Sequence, residues 1–174
     1  MIVLSLCLQA IAGLLLADFL TGFFHWLEDR YGSESWPVLG RWVIAPNRLH
    51  HREPLAFTRA SFLTRNGTTA LAAMVVGLAL LVALGPSLWL AVAFVSGALA
   101  NEFHFWTHRP DRAPRFVRIM RRIGLAQSRN HHALHHAAPS DRRYCILTAW
   151  LNPILDRVGF WRLLERALPA RWQA

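Results

Sequence analysis

Two long apolar stretches constrain the fold of this chain more than any other feature of its sequence. Residues 2–24 contain one charged side chain, Asp18, and a second stretch runs from about Thr68 to about Phe103. A helix of roughly 20 apolar residues crosses a bilayer, so the first stretch suffices for one crossing and the second is too long for one. Gly85-Pro86 lies mid-way along the second stretch and predicts a turn. We therefore predict an all-α integral membrane protein with about three spanning helices, over 2–24, 68–84 and 87–106.

The arginines predict the orientation of these helices. The chain has nineteen basic residues, all of them Arg, and three crossings place every one of them on the same side of the membrane. The positive-inside rule assigns that side to the cytoplasm. The arginines are scattered and follow no nucleic-acid-binding signature, which argues against a nucleic-acid partner. We expect one membrane-embedded domain, residues 1–174, in a bacterial inner membrane with its polar segments on the cytoplasmic face.

Several shorter segments predict contact with the membrane surface. Residues 115–125 place Phe116, Ile119, Met120 and Ile123 on one helical face and Arg115, Arg118 and Arg122 on another, which is typical of an interfacial helix. Residues 144–151 are apolar but too short to span, and they predict a re-entrant or surface segment. Tryptophans favour the headgroup level of a bilayer. Those expected there are Trp26, Trp42, Trp106, Trp150 and Trp161.

All nine histidines fall on the predicted cytoplasmic side or at the inner helix ends. They form four clusters: His25; His50-His51; His104 and His108; and His131, His132, His135 and His136. Residues i and i+4 share a helix face, so His104 with His108, and His132 with His136, can each point at one metal ion. Asn101 lies on the face of His104. Imidazole suits Fe, Zn and Cu, and eight or nine imidazoles are too many for one ion and about right for two.

Two carboxylates lie on the helical face of His25. Asp18, Gly22, His25 and Asp29 follow helical spacing. An ionisable residue within a membrane helix is costly and indicates a function. Asp18 is expected to orient His25, because a ligating His commonly donates its second ring nitrogen to a carboxylate; the alternative is an Asp18 that hydrogen-bonds to a neighbouring helix. For Asp29 the sequence leaves two alternatives open, an oxygen ligand to the metal and a charge at the helix end.

Other metal and catalytic chemistries fit the sequence poorly. The His-Glu-x-x-His motif of metalloproteases and the Gly-x-Ser-x-Gly nucleophile elbow are absent. A haem needs one or two axial histidines and would leave most of the nine unexplained. A metal transporter places its ligands near the middle of the membrane, whereas these lie at its boundary.

As an ordered set, the motifs resemble those of the plasmanylethanolamine desaturase family, also called Kua or CarF-type lipid desaturases. The resemblance extends from about Asp18 to Glu165. The matching residues, at the family's spacing, are Asp18-Phe19, Gly22, His25, Trp26, Asp29, Gly32-Ser33, His50-His51, Pro54, Asn66-Gly67, Asn101, His104, Trp106, His108, His131-His132, His135-His136, Tyr144-Cys145-Ile146, Trp150-Leu151-Asn152, Gly159-Phe160-Trp161 and Glu165.

This resemblance implies an enzyme that removes two hydrogens from an alkyl or acyl chain of a membrane lipid with O2 and two non-haem iron ions. A plasmanyl lipid that becomes a vinyl ether is one such substrate. Cytochrome b5 or a ferredoxin type of protein would supply electrons. The implied catalytic residues are His25, His50, His51, His104, His108, His132, His135 and His136. His131 joins them as a metal ligand, and Asp18, Asp29 and Asn101 are implied near the cofactor.

Two departures and two alternatives remain. Family members carry a histidine where this chain has Ala60 and another where it has Ser140, which leaves the substrate and the catalytic detail open. A lipid hydroxylase could use the same histidine cage, because hydroxylation and desaturation begin with the same hydrogen abstraction. A non-catalytic metal- or redox-sensing membrane protein is the alternative from another class.

Overall fold

The computed structural model describes residues 1–168, and within that range the chain is helical and has no strand. The described α-helices, in chain order, are α1 (Ile2–Tyr31), α2 (Ala45–Arg52), α3 (Phe62–Leu84), α4 (Leu88–Ala98), α5 (Ala100–His108), α6 (Arg115–Arg122), α7 (Arg129–His136), α8 (Leu151–Arg157) and α9 (Phe160–Ala167). A π-helical turn, Gly40–Ile44, leads into α2. The all-helical prediction is confirmed for these residues; the end of the predicted domain, 169–174, lies outside them.

The membrane-crossing candidates match the predicted stretches. Helices α1 and α3 are each long and apolar enough to cross a bilayer, and α4 with α5 forms a third candidate if this bent pair is one span. The predicted turn is confirmed, because α3 ends at Leu84 and Gly85 adopts a φ of +76°, a conformation that favours glycine. Helix α4 packs along both α1 and α3.

The predicted single helix over 87–106 is wrong in one respect. The chain bends by 49° between α4 and α5, at Leu99, two residues after the pair Ser96-Gly97. Pairs of Ser and Gly are a recognised site of helix kinks, because the backbone of glycine is conformationally less restricted than that of other residues. The bend turns α5 so that Glu102 meets Arg65 of α3, with 2.7 Å between the guanidinium nitrogen and the carboxylate oxygen.

The apolar segment after α7 is buried. Residues 140–148, which we call the 140–148 segment, form neither helix nor strand. Its side chains from Tyr144 to Thr148 are at most 5% exposed. The surface alternative predicted for residues 144–151 is therefore wrong: the segment lies against α1 inside the protein. It can be buried there because other side chains satisfy its backbone groups.

Two of the five tryptophans expected at the headgroup level are core residues. Trp26 and Trp161 are 1% and 2% exposed, and they pack with Tyr31 and Tyr144 in one aromatic cluster. Trp42, by contrast, is 59% exposed. The prediction failed for the buried pair because α9 folds back onto α1, a contact between residues far apart in the chain that no local pattern shows.

Candidate metal centre

Eight of the nine histidines converge in two adjoining groups near one end of the apolar helices, the end opposite the Gly85 turn. Helix α1 brings His25, α2 brings the His50-His51 doublet, α5 brings the His104 and His108 pair, and α7 brings the remaining ligand candidates. What we call the first group contains His50, His104, His108, His132 and His136, and the second group contains His25, Asp29, His51 and His135. In each group the potential ligand atoms lie within 4.8 Å of one another.

The nitrogens of the first group converge more closely than hydrogen bonding can explain. The Nε2 atom of His104 lies 3.1 Å from that of His50, 3.2 Å from that of His108 and 2.8 Å from that of His132. One ring nitrogen has either a proton or an in-plane lone pair, so it cannot satisfy three such neighbours. Two nitrogens bound at right angles to one ion, at about 2.1 Å each, lie about 3 Å apart. These spacings therefore fit a shared metal ion.

The second group mixes imidazole with a carboxylate. Asp29 Oδ1 lies 3.1 Å from His51 Nε2, and Asp29 Oδ2 lies 3.3 Å from His135 Nε2 and 3.7 Å from His25 Nε2. Of the two alternatives for Asp29, this geometry favours the ligand position. Within residues 1–168, His25 Nε2 and Asp29 Oδ2 are buried and have no hydrogen-bond partner, as expected of ligand atoms directed at one ion.

The opposite ring nitrogens of the second group are held by the backbone. His25 Nδ1 donates to the carbonyl of Tyr144 at 3.1 Å, and His135 Nδ1 donates to the carbonyl of Arg142 at 2.8 Å. A carbonyl only accepts, so each Nδ1 carries the proton and each Nε2 keeps its lone pair. Asn47 donates to Asp29 Oδ1 at 2.6 Å and fixes the carboxylate in the same way.

The burial of the first group keeps its imidazoles neutral. Desolvation, reinforced by neighbouring histidines, holds the pKa of His50 and of His132 well below the usual value. The same two causes lower the pKa of His136 to about 3. A metal binds the neutral imidazole, whose lone pair is free. At neutral pH these side chains are therefore in the state that binds a metal ion.

Three of the residues predicted near the cofactor lie elsewhere. His131 is outside both groups, and its Nε2 accepts from Arg143 at 3.3 Å and from Asn152 at 3.2 Å. Because that lone pair is occupied, His131 Nε2 is not available as a ligand atom. Asn101 donates to the carbonyl of Arg65 at 2.7 Å instead of facing the histidines.

Asp18 is also placed differently from the prediction. Its carboxylate accepts hydrogen bonds from the backbone N–H of Leu147, at 2.8 Å, and from the hydroxyl of Thr148. The expectation that Asp18 contacts His25 directly is therefore wrong, and the Tyr144 carbonyl occupies that role. Helical spacing placed Asp18 on the correct face, but it could not show that the 140–148 segment lies between Asp18 and the histidines.

Sequence reasoning missed several residues around the two groups. The ring of Phe57 packs on the first group, with its centroid 4.6 Å from that of His50 and 4.9 Å from that of His104. Asn47 and the carbonyls of Arg142 and Tyr144 were missed as well. No residue-type signal marks a backbone carbonyl, and Phe57 is one of ten phenylalanines in the chain.

The sequence profile of the lipid desaturase domain family matches residues 14–173. The chain belongs to this family. Plasmanylethanolamine desaturase 1 of Mus musculus is 36% identical over 172 residues, which cover 91% of this chain and 63% of that protein. Plasmanylethanolamine desaturase of Myxococcus xanthus is 37% identical over 163 residues, 90% of this chain and 58% of that protein.

A third relative has a length closer to that of this chain. It is a probable fatty acid desaturase of Acanthamoeba polyphaga mimivirus, 35% identical over 162 residues that cover 91% of this chain and 80% of that protein. The chain spans about three fifths of the length of the two plasmanylethanolamine desaturases. No solved structure matches the chain. The match to the family profile and the identities of the two plasmanylethanolamine desaturases confirm the family resemblance inferred from the motifs.

Proposed function

We propose that the chain is an O2-dependent lipid desaturase that holds two non-haem iron ions in the two histidine groups. The observation that carries the proposal is the convergence of eight histidines and Asp29, as two adjoining sets of ligand atoms, in a member of the lipid desaturase family. The first group would hold one ion with imidazole alone, and the second would hold the other with three imidazoles and a carboxylate. Such donor sets suit iron.

The protein's own contribution is to position the metal ligands and to keep water away from them. Bound iron would supply the oxidising power needed to remove hydrogen from an unactivated alkyl chain. The carbonyls of Arg142 and Tyr144 orient two of the imidazoles, and the ring of Phe57 covers part of the first group. His132 and His135 are at most 1% exposed, so the ligand atoms lie in a largely dry site.

The location of the site fits a substrate that stays in the membrane. His25 lies near the end of the candidate span α1, and His104 and His108 lie near the end of the bent pair α4–α5. An alkyl or acyl chain can approach from the adjoining leaflet without entering water. The reaction would convert a –CH2–CH2– unit, O2, two electrons and two protons into a –CH=CH– unit and two waters. The electrons would come from a cytochrome b5 or ferredoxin type of donor.

The names of the relatives support a substrate class, and the distribution of charge supports a location. Two relatives are named plasmanylethanolamine desaturases and a third a probable fatty acid desaturase. We infer a (phospho)lipid substrate, with the alkyl chain of a plasmanyl lipid as the first candidate. The distribution of the nineteen arginines supports a cytoplasmic active site in a bacterial inner membrane.

Comparative lipidomics tests the proposal. Cells that express the chain should contain lipids two hydrogens lighter than their precursors, and cells that express His104→Ala should not. Glu102→Gln, which alters a buried carboxylate outside both groups, is the matched control and should retain the product. A product with an added oxygen would instead identify a hydroxylase. Unchanged lipids, with metal still bound to the purified protein, would indicate a metal-sensing protein and refute the proposal.

A further inference from the structure

The two histidines oriented by carbonyls depend on one short piece of chain. His25 and His135 donate to the carbonyls of Tyr144 and Arg142, which lie two residues apart in the 140–148 segment. These hydrogen bonds hold the Nε2 atoms of both rings towards Asp29. If the segment moved or became mobile, both rings would be free to rotate or to change tautomer. The position of this segment therefore controls the second group.

The 140–148 segment is irregular, so its position depends on side chains from elsewhere. Asp18, which is fully buried in α1, accepts from the N–H of Leu147 and from the hydroxyl of Thr148. A carboxylate within an apolar helix is costly unless it has a specific partner. Here the partners are two donors of the same segment, so Asp18 fixes its C-terminal end against α1.

Asn152 holds the middle of the segment. Its Oδ1 accepts from the N–H of Cys145 at 3.0 Å, and its Nδ2 donates to the carbonyl of the same residue at 2.7 Å. The amide side chain thus pairs with the N–H and the carbonyl of Cys145 as the backbone of a neighbouring strand would, and it satisfies both backbone groups of this fully buried residue. Cys145 directly follows Tyr144, so this double hydrogen bond also sets the direction of the Tyr144 carbonyl.

We propose that Asp18 and Asn152 are positioning residues for the second group: they fix the 140–148 segment, whose carbonyls orient His25 and His135. The inference rests on the proposed function, because it assumes that the second group binds a metal ion. Helix α1 then combines two roles on one face, with Asp18 as the anchor of the segment and His25 and Asp29 as ligands about two and three turns further along.

The first group does not depend on the segment in this way. Within residues 1–168, the Nδ1 atoms of His50, His132 and His136 have no hydrogen-bond partner, and none of these rings contacts the segment through Nδ1. Loss of the segment's anchors should therefore weaken one metal site and leave the other. Changes to the groups that orient a ligand typically reduce metal affinity by roughly 10–100-fold.

The test counts the iron retained by the purified full chain. Protein loaded anaerobically with Fe²⁺ is equilibrated with a series of chelator concentrations, and the iron per chain is measured. Asp18→Leu and Asn152→Leu should each lose one ion at chelator concentrations roughly 10–100-fold lower than the wild type, and keep the other ion unchanged. Asp18→Asn should retain most of the affinity, because an amide can still accept from Leu147 and can donate to Thr148.

Glu102→Gln is the matched control. Glu102 is another buried carboxylate of a candidate membrane span, 8% exposed, but its partners are Arg65 and Asn66 of α3. It should hold both ions as the wild type does. Retention of both ions by Asp18→Leu and Asn152→Leu would overturn the inference, as would equal weakening of both sites. Failure of both variants to fold would also overturn it, since the segment would then support the whole protein.

The chelator series also separates this inference from the proposed function. A wild type that binds two ions but forms no desaturated lipid refutes the function, and the effect of Asp18→Leu remains measurable. A wild type that is active, with an Asp18→Leu variant that retains both ions equally well, refutes the inference alone. A wild type that binds no iron refutes both, and it differs from the other two results in its iron content.

Discussion

At the level of single residues, the histidine doublets are divided between the two groups. His50 belongs to the first group and its neighbour His51 to the second, and His136 and His135 are divided in the same way. Consecutive residues on a helix point about 100° apart, because a turn takes 3.6 residues. A doublet on a helix between the two groups can thus supply one potential ligand to each, so that two short helices can contribute to both groups.

Single substitutions of histidines should separate the proposed ligands from the one histidine outside the groups. His104→Ala should lose the ion of the first group, since its nitrogen adjoins three others, and His135→Ala should lose that of the second. Both should abolish activity. His131→Gln should retain both ions, because His131 only accepts hydrogen bonds from Arg143 and Asn152. Iron content and lipid products of each variant are the measurements, and full iron in His104→Ala would contradict the assignment.

Acid should destabilise the metal-free protein. The folded state holds the pKa of His50, His132 and His136 below the usual 6.5, whereas the unfolded chain takes up protons near pH 6.5. Above that pH both states are neutral and stability is independent of these groups. Below it the unfolded state binds more protons than the folded state, so the free energy of unfolding decreases as the pH is lowered. The midpoint of thermal unfolding in detergent should be lower at pH 5 than at pH 8; equal midpoints would contradict this.

At the level of elements, the contact between α1 and the 140–148 segment depends on a glycine. A Cβ atom at Gly22 would lie 2.6 Å from the sulfur of Cys145 and 3.0 Å from its backbone nitrogen. No real side chain tolerates the first distance, and the backbone could yield only by moving the segment. Gly22 therefore permits the close approach on which the hydrogen bonds of Asp18 and of His25 to the segment depend.

Replacing Gly22 by alanine should lower the free energy of unfolding by about 1–3 kcal/mol, as overpacking of a core typically does. Gly67→Ala is the control, because a Cβ there has nothing within 4 Å and alanine favours a helix. It should be neutral or slightly stabilising. Thermal unfolding of both variants in detergent is the measurement. A Gly22→Ala protein as stable as Gly67→Ala would show that the segment can move away at no cost.

Helix α6 should lie on an anionic lipid surface. Phe116 and Ile119 on its outer side, and Ile123 directly after it, are 52%, 49% and 61% exposed, next to the exposed Arg115, Arg118 and Arg122. Each arginine near an anionic bilayer contributes about 1 kcal/mol. In a Cys7→Ser background, a cysteine introduced by Ile119→Cys should resist a water-soluble maleimide in anionic vesicles. Replacing the three arginines by glutamine, or using zwitterionic vesicles, should restore labelling; equal labelling throughout would refute the placement.

At the level of the whole molecule, the apolar helices and the polar groups are separated into two zones. The ends of α1 and α5, with α2 and α7, carry the histidines and lie together, whereas the Gly85 turn lies at the other end of the apolar helices. If the histidine zone is cytoplasmic, a reporter within residues 31–45 or after residue 174 should be active in the cytoplasm, and one at Gly85 outside it. A reversed pattern would contradict the orientation that the arginines predict.

Much of this architecture follows from local patterns. Apolar length predicts the crossings, because backbone groups in lipid must pair within a helix. Spacing of i and i+4 predicts that His104 and His108, and His132 and His136, share a site. Those pairs lie together in the first group. The family motifs place the chain in the lipid desaturase family, and the comparison confirms that membership. Each of these inferences depends only on the spacing of residues along the sequence, either within one helix or among the family motifs.

Contacts between distant residues decide the rest. The allocation of His50 and His51 to different groups requires the rotation of α2 against α1 and α5. The orientation of His25 requires a carbonyl that lies 119 residues away in the chain. Trp161 becomes a core residue because α9 packs on α1. Periodicity fixes which face of a helix a side chain occupies, but it does not fix what that face meets, because the energy of that contact exists only once the helices have packed.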